Sequence, residues 1–167
     1  LYFTDEVMKF LTEECYSASA DLAHEKGSFP AYDAHLYAQS RFIKGLNPRL
    51  QQKIRQHGMR NSHLTSIAPT GTISLCADNV SAGLEPPYAL KSDRTIQTFD
   101  GPVVVNVKDY AFARGGSGIC ADDLSAKDHV SVLATAQRWV DSSCSKTCNV
   151  GPDVPFEDFK DLYLSAW

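Results

Sequence analysis

The residues best suited to chemistry lie in one run of ten, SIAPTGTISL, from Ser66 to Leu75. An apolar stretch ends there in Pro-Thr-Gly-Thr, and hydroxyl side chains follow in what we predict to be the first turn of a helix. A glycine allows a tight turn and close approach of a ligand to the backbone. Unpaired N–H groups at a helix start bind anions, which the helix dipole also favours. The run therefore predicts a phosphate-binding turn after Pro69, in which the N–H groups of Thr70, Gly71, Thr72 and Ile73 and the hydroxyls of Thr70, Thr72 and Ser74 face the anion.

The residues of this turn also permit a simpler interpretation. No lysine follows in the position that a Walker-type loop requires, so a P-loop nucleotide site is not indicated. An ordinary helix N-cap with a threonine-rich first turn would have the same sequence. From the turn alone, both interpretations stay open.

The five cysteines are too few and too scattered for a disulfide scaffold, and their odd number favours reduced thiols. Cys144 and Cys148 are spaced as Cys-x₃-Cys, which is compatible with redox or metal chemistry. A free cysteine in a core more often behaves as a small hydrophobe, and no neighbouring Cys-x₂-Cys or His-x₃-His motif supplies further ligands. We predict no metal site and regard a redox role of this pair as the weaker alternative.

Helices and one strand are predicted to precede the turn. The first helix is expected to begin at Thr4 and to end at Gly27, and a second is expected between the N-cap pair Asn47-Pro48 and Gly58. A buried strand from Leu64 to Ala68 would lead into the turn. Helical spacing predicts an apolar face on the first helix, formed by Val7, Leu11, Cys15, Ala18 and Leu22.

A hairpin, two helices and a strand are predicted after the turn. Alternating residues in Arg94–Phe99 and the β-rich run Val103–Val107 flank Asp100-Gly101, which predicts the hairpin. A helix is expected from Ser125 to about Ser143, a short strand over Lys146–Val150, and a final helix after Pro155. This succession of elements indicates an α/β fold.

Composition is that of an ordinary soluble globular domain. The chain has 167 residues, 43% hydrophobic and 22% charged, with a net charge of −4, which argues against a nucleic-acid surface. No apolar stretch approaches the length of a membrane span, and no signal peptide is apparent, so we predict a cytoplasmic location. Because the chain starts at Leu1 and stops at Trp167 without a helix stop signal, we expect a fragment of a longer protein.

Several further runs strengthen the phosphate interpretation when they are taken in order. In this order they resemble the C-terminal part of the large catalytic chain of ribonucleotide reductase, over about Thr4 to Trp167. The GLEP run, Gly83 to Pro86, is similar in the iron-dependent class too, whereas the SKT and DRTIQTFDGP runs favour the adenosylcobalamin-dependent class. The runs are RNSHLT from Arg60, NVSAGLEP from Asn79, DRTIQTFDGP from Asp93, SKTCNV from Ser145 and FEDFKDLY from Phe156.

The resemblance implies a fold and a reaction. The fold would be a partial ten-stranded α/β barrel, its C-terminal strands and helices, with a β-hairpin insertion; residues 1–167 would be a fragment of one barrel domain, incomplete at both ends. The reaction would reduce a ribonucleoside diphosphate to the 2′-deoxyribonucleotide by thiyl-radical chemistry. Its cofactor would be adenosylcobalamin. Its partners would be a thioredoxin-like or dithiol reductant, the remainder of the catalytic chain and a second copy in a homodimer.

The resemblance also assigns roles within this sequence. Residues Ala68 to Ser74 match the substrate-phosphate loop of the family. The Asn-x-Cys-x-Glu motif that carries the radical cysteine is absent, so we expect it upstream of Leu1 and expect the chain to be inactive alone. Glu85 is either a carboxylate near the site or a barrel-rim residue held by Asn79 and backbone donors, and we favour the second role. Lys146 would reach an anion or form a pair.

Other classes of function remain as alternatives. One is a stand-alone, non-catalytic phospholigand-binding α/β module built on the same turn. Another is the iron-dependent class of the same reductase. A small redox protein using Cys144 and Cys148 is disfavoured because the Cys-x-x-Cys motif at a helix start is missing.

Overall fold

The computed structural model describes residues 1–151 and 153–167, which form helices and one two-stranded sheet. Two compact units are present: the first comprises Leu1–Ser66 and Thr135–Cys144, the second Ile67–Ala134 and Ser145–Trp167. In the described part of the chain, no helix combines the length and apolar character needed to cross a membrane. The elements in chain order are α1 Tyr2–Lys26, α2 Ala34–Gln39, α3 Arg41–Gly45, α4 Pro48–His57, α5 Gly71–Cys76, β1 Lys91–Thr98, β2 Gly101–Lys108, α6 Tyr110–Ala113, a 3₁₀ turn Ala121–Asp123, α7 Ala126–Gln137 and α8 Phe156–Ala166.

The first unit contains the larger apolar core, built where α1 packs on α4. The predicted signals of α4 are confirmed: the Asn47 side chain accepts a hydrogen bond from the Leu50 N–H at 2.8 Å, Pro48 occupies the first turn, and Gly58 ends the helix. Gly27 ends α1 as predicted, although α1 begins before Thr4. The core residues are Tyr16, Ala20, Ile43, Leu46, Leu50, Ile54 and Met59.

The predicted apolar face of α1 is wrong. The helix instead buries a neighbouring face that includes two small polar residues, while Val7, Leu11 and Leu22 are at least 38% exposed. The buried hydroxyls have partners, since Thr12 donates to the Trp139 carbonyl oxygen and Ser19 bonds to Asn61. Hydrogen bonding removes most of the cost of burying such groups. The buried residues of α1 are Thr12, Tyr16, Ser19, Ala20 and Ala23.

The predicted strand Leu64–Ala68 is also wrong: this segment has only a single bridge residue, Ile67, and none of its side chains is fully buried. Its first N–H groups are occupied by a side chain. Leu64 and Thr65 donate to the Asp141 carboxylate at 2.7 and 2.9 Å. The hydroxyl of Tyr16 donates to the same carboxylate at 2.7 Å. Burial would raise the pKa of Asp141, but these hydrogen bonds keep it below its usual value.

The second unit confirms the predicted hairpin and extends it. β1 and β2 are antiparallel, with Lys91 opposite Lys108 at the open end and Thr98 opposite Gly101 at the turn. The side chain of Asp109 then caps α6 by accepting from the Ala111 and Phe112 N–H groups. The cap fixes the chain direction directly after the hairpin.

Two further predictions are wrong: the end of α7 and the strand after it. Helix α7 ends at Gln137 and does not reach Ser143, because the Gln137 side chain donates to the carbonyl oxygens of Val140 and Ser142, which have left the helix. Residues 146–150 form no strand; the Thr147 N–H donates to a carboxylate of the same unit instead of a neighbouring strand. The final helix does begin directly after Pro155, as predicted.

Candidate functional site

The Pro-Thr-Gly-Thr turn leads into a short helix, as predicted, but the residue that makes the turn is not the glycine. Thr70 has φ +49° and ψ +17°, in the left-handed region, and its carbonyl oxygen accepts the Ser74 N–H at 2.9 Å. Gly71 has no positive φ, and a Cβ there would meet no atom within 4 Å. Neither backbone geometry nor packing within the chain therefore requires glycine at position 71.

The first N–H groups of α5 are free to bind a ligand. Within the described residues, those of Gly71, Thr72 and Ile73 donate to no protein oxygen, as expected for the start of a helix. Thr72 is exposed and Ile73 is 69% exposed. Ser74 differs, because it is only 7% exposed and its hydroxyl donates to the Gly71 carbonyl oxygen at 2.8 Å. The backbone of this turn is thus more available to an anion than the Ser74 hydroxyl is.

Gly83, in the GLEP run, packs directly against this turn. It has φ +58°, and a Cβ at this position would lie 2.7 Å from the Ala68 carbonyl oxygen. That distance is too short for two such atoms, so only glycine fits here without a shift of backbone. The Thr70 hydroxyl would be 3.8 Å from the same Cβ. Two runs that the sequence presents separately therefore form one packed structure.

Glu85 is held by a partly buried ion pair. Lys146 Nζ donates to Glu85 Oε2 at 2.6 Å, and the Thr147 N–H donates to Glu85 Oε1 at 2.5 Å. The Lys146 side chain is 3% exposed and that of Glu85 23%. Lys146 also donates to the Thr147 carbonyl oxygen at 2.6 Å and contacts His129 Nδ1 at 2.8 Å. The backbone donor predicted for Glu85 is present, and Lys146 forms a pair.

Asn79 does not hold Glu85, contrary to the prediction. Its side chain donates to the Lys108 carbonyl oxygen at 2.9 Å, and its N–H donates to the Ser74 carbonyl oxygen at 2.9 Å. The Asn79 carbonyl oxygen accepts from the Tyr110 N–H. With φ +57° it lies in the left-handed region, which asparagine tolerates better than most residues. Asn79 therefore ties the end of α5 to the base of the hairpin.

A cavity of about 380 Å³ adjoins the turn. The carboxylates on its wall have partners in the protein: Glu85 pairs with Lys146, Asp93 accepts from the Asn106 amide, and Asp109 caps α6. Arg94 of β1 has no ion-pair partner within the described ranges. It is the cation on this wall that remains available to a ligand. The lining includes Gly71, Ser74, Asn79, Glu85, Arg94 and Asp109.

The cysteines show no sign of a shared site. All five are free thiols, and burial raises the pKa of both Cys144 and Cys148. The Cys148 thiol makes a long contact of 3.9 Å with the Ala126 carbonyl oxygen. Over residues 1–151 and 153–167, no group of three or more His, Cys, Asp or Glu side chains is arranged to hold a metal ion.

Comparison with known families decides the relationship. The family model described as "Ribonucleotide reductase, barrel domain" matches residues 1–114 and 119–167. The chain belongs to this family. The match covers the turn, the GLEP run and the Lys146 segment, so the site lies wholly inside the barrel-domain sequence.

Curated ribonucleotide reductases are distantly similar over nearly all of the chain. A vitamin B12-dependent ribonucleoside-diphosphate reductase of Mycobacterium tuberculosis is 28% identical over 96% of this chain and 25% of its own length. Another of that name, from Thermoplasma acidophilum, is 30% identical over 97% of the chain and 23% of its own length. The ribonucleoside-diphosphate reductase subunit alpha of Helicobacter pylori is 27% identical over 98% of this chain and 23% of its own length. The chain spans about a quarter of the length of these relatives.

Sequence reasoning missed three residues of this barrel-domain site. His129 stands 17 positions before Lys146, and no motif joins them. Arg94 belongs to a run that indicated the family, but its place on the cavity wall depends on how the hairpin packs. The special conformation of Gly83 could have been suspected, since glycine between longer residues often marks a positive φ. The contact of Gly83 with Ala68 could not have been predicted from the sequence.

Proposed function

We propose that this chain is the substrate-phosphate-holding part of a ribonucleoside-diphosphate reductase, the enzyme that makes 2′-deoxyribonucleotides by thiyl-radical chemistry. The observation that carries the proposal is the free N–H row of Gly71, Thr72 and Ile73 at the start of α5, within a chain of the barrel-domain family. Three aligned amides beside a cavity form a good anion site. Residues 68–74 would hold the phosphates, and holding the substrate in reaction geometry is a large part of catalysis.

The cavity beside the turn supports a phosphorylated ligand. Its volume of about 380 Å³ lies in the usual range of small-ligand sites. A diphosphate carries more negative charge than three amides can balance, and the turn has no lysine. Arg94 would supply the missing cation from β1, with the planar guanidinium that suits phosphate oxygens. Asp93 accepts from the Asn106 amide and Asp109 from the Ala111 and Phe112 N–H groups, which satisfies part of each carboxylate but leaves its charge, so Arg94 would also offset these two charges.

In the reaction that the family resemblance implies, a cysteine thiyl radical removes the 3′ hydrogen of the ribose. Two further cysteines would then be oxidised to a disulfide while the 2′ hydroxyl leaves as water. A thioredoxin-like or dithiol reductant restores them. None of the five cysteines here lies in an Asn-x-Cys-x-Glu setting. The chain would contribute binding and orientation, and the remainder of the same catalytic chain would contribute the radical cysteine.

The radical generator is proposed to be adenosylcobalamin, because of the SKT and DRTIQTFDGP runs and because two of the relatives are vitamin B12-dependent reductases. That cofactor would supply the first radical. The cavity beside the turn does not fit it, because about 380 Å³ lined by Glu85, Asp93 and Asp109 suits a phosphorylated sugar better than a corrin macrocycle. We assign no residue of this chain to the cofactor.

Gly71→Ala gives the sharpest test of the phosphate role. A Cβ at position 71 meets nothing within 4 Å in the protein, so the variant should fold normally. The added methyl group would occupy the space through which a phosphate approaches the amides. In the full-length protein that carries this chain, we expect Gly71→Ala to raise the dissociation constant for pyrophosphate at least tenfold, as measured by calorimetry. Gly118→Ala, which also meets nothing within 4 Å, is the matched control. Unchanged pyrophosphate binding in Gly71→Ala would refute the phosphate site.

The class is tested by CDP reduction with a dithiol reductant, in the presence and absence of adenosylcobalamin. Turnover that depends on the cobalamin supports the proposed class. The Helicobacter pylori relative, a subunit alpha of comparable identity, keeps the iron-dependent class as the second candidate. Turnover that requires a separate metal-containing subunit would establish that alternative. A protein that binds pyrophosphate and reduces nothing under either condition would be a non-catalytic phospholigand-binding module.

A further inference from the structure

Three separate segments of the second unit meet around the phosphate turn. The Ser145 N–H donates to the Ile67 carbonyl oxygen at 2.7 Å, which attaches the third segment to the first. Gly83 packs on the Ala68 carbonyl oxygen, which attaches the second segment to the first. The Lys146–Glu85 ion pair joins the second segment to the third, so each segment contacts the other two. The segments are 67–70, 82–85 and 145–147.

The hydrogen-bond partners of the Lys146 ammonium group are complete, which offsets the cost of its burial. An ammonium group has three N–H donors and no acceptor, and Lys146 has three acceptors: Glu85 Oε2, the Thr147 carbonyl oxygen and His129 Nδ1. Desolvation of a buried charge is offset only when such partners are complete. His129 is 2% exposed, and its Nδ1 accepts from Lys146 because an ammonium group can only donate.

Glu85 is fixed at both oxygens. Oε2 accepts from Lys146 and Oε1 from the Thr147 N–H, so both oxygens are bound to the third segment. The Glu85 N–H donates to the Ala82 carbonyl oxygen at 2.9 Å, which closes the tight turn that contains Gly83. Fixing the side chain of Glu85 therefore fixes the backbone that presses against Ala68.

We propose that Lys146 and Glu85 are positioning residues for phosphate binding, an inference that rests on the proposed function of the turn. They hold Gly83 against Ala68 and so hold Thr70 in the left-handed conformation from which α5 starts. Such a conformation persists in a threonine only where its surroundings impose it. Lys146 has a second effect: Glu85 lines the cavity, and its charge would repel a diphosphate if it were not paired.

This double role predicts an order among variants of the full-length protein. Lys146→Met removes both the bond and the neutralising charge, and should raise KM for CDP and the dissociation constant for pyrophosphate more than tenfold. Glu85→Gln loses one of the two acceptor oxygens that fix the side chain but also removes the repelling charge, and should raise both constants only about threefold. The kcat of the folded enzyme should change less than KM in each variant. Lys53→Met, which removes a half-exposed ion pair of 2.7 Å in the first unit, is the control and should change neither constant.

The outcomes separate this inference from a purely structural role. If Lys146→Met and Glu85→Gln lower thermal stability but leave KM and pyrophosphate binding of the folded protein unchanged, the positioning role is refuted. If Lys146→Met does not fold, Glu85→Gln decides alone, since it keeps the shape of the side chain and one of its two acceptor oxygens. If Gly71→Ala also leaves pyrophosphate binding intact, the proposed function fails; if only the Lys146 and Glu85 variants are silent, the proposed function stands without this inference.

Discussion

Replacing Gly83 with alanine should disrupt the packed turn through two separate costs. The residue has φ +58°, which costs an L-amino acid about 1–2 kcal/mol. The new Cβ would lie 2.7 Å from the Ala68 carbonyl oxygen, a backbone atom that cannot move away on its own. Overpacking of this kind costs about 1–3 kcal/mol. We therefore expect Gly83→Ala to lower the free energy of unfolding by about 2–5 kcal/mol and to weaken pyrophosphate binding as the turn shifts.

Gly115→Ala separates the two costs. Gly115 has φ +82°, but a Cβ there meets no atom within 4 Å, so only the conformational cost of about 1–2 kcal/mol applies. The assay is urea denaturation of the two variants and the parent protein, followed by calorimetric titration with pyrophosphate. If Gly83→Ala is no more destabilising than Gly115→Ala, the contact between Gly83 and Ala68 does not matter and the reasoning is wrong. If it is more destabilising yet binds pyrophosphate normally, the turn does not depend on this packing.

Three further predictions concern other parts of the chain. Asp141→Asn should destabilise the protein by about 2–3 kcal/mol or more, since each carboxylate oxygen accepts from at least two N–H or hydroxyl donors, and those of one oxygen lose their acceptor. Because hydrogen bonds lower the pKa of Asp141, its contribution is complete above the ordinary carboxyl pKa and is lost as the pH falls below it; urea titrations from neutral to acid pH should show that loss, and a flat profile would contradict it. Cys76 is exposed, while burial raises the pKa of Cys148, so mass spectrometry after limited iodoacetamide treatment should find Cys76 labelled first and Cys148 only as the pH rises; equal labelling at neutral pH would refute this order. Thr70→Asn should raise the free energy of unfolding by up to about 1 kcal/mol, because asparagine tolerates the left-handed conformation better, and a loss of stability in urea would argue against that strain.

Local signals in the sequence located those elements whose residues interact with their own neighbours. Asn47 and Pro48 begin α4, Gly58 ends it, and alternation around Asp100-Gly101 gives the hairpin. Each signal acts within a few residues, through a side-chain cap or the conformation of a single residue. Such signals are readable without tertiary information.

The errors arose where distant side chains take backbone hydrogen bonds. Asp141 occupies the N–H groups of Leu64 and Thr65 from 77 and 76 positions away, and Glu85 takes the Thr147 N–H from 62 positions away. Both segments are apolar or β-branched enough to suggest strands, but a strand needs those donors for a ladder. The prediction of the buried face of α1 was wrong for a related reason. Thr12 and Ser19 are buried because they have hydrogen-bond partners, which the spacing of hydrophobic residues does not reveal.

The candidate site was foreseen in part. The residues of the turn could be named because glycine, threonine and a helix start are adjacent in the chain. The roles of Gly83, His129 and Arg94 could not, since each depends on a neighbour brought in by folding. The tight turn was expected to depend on the glycine, whereas the left-handed residue is Thr70, which shows the limit of a rule based on residue type.

Both strands of the hairpin have an unpaired edge, which can promote aggregation. In the described chain its sheet consists of β1 and β2 alone, so each strand has an outer edge to which no further strand is paired. Apolar side chains accompany these edges: Val104 is 65% exposed and Ile96 44%. Unpaired edges with such side chains invite the same strand of another molecule. Preparations of this chain at high concentration should therefore be prone to edge-to-edge aggregation through β2, whose one charged residue is Lys108, and a lysine introduced at Val104 should reduce it.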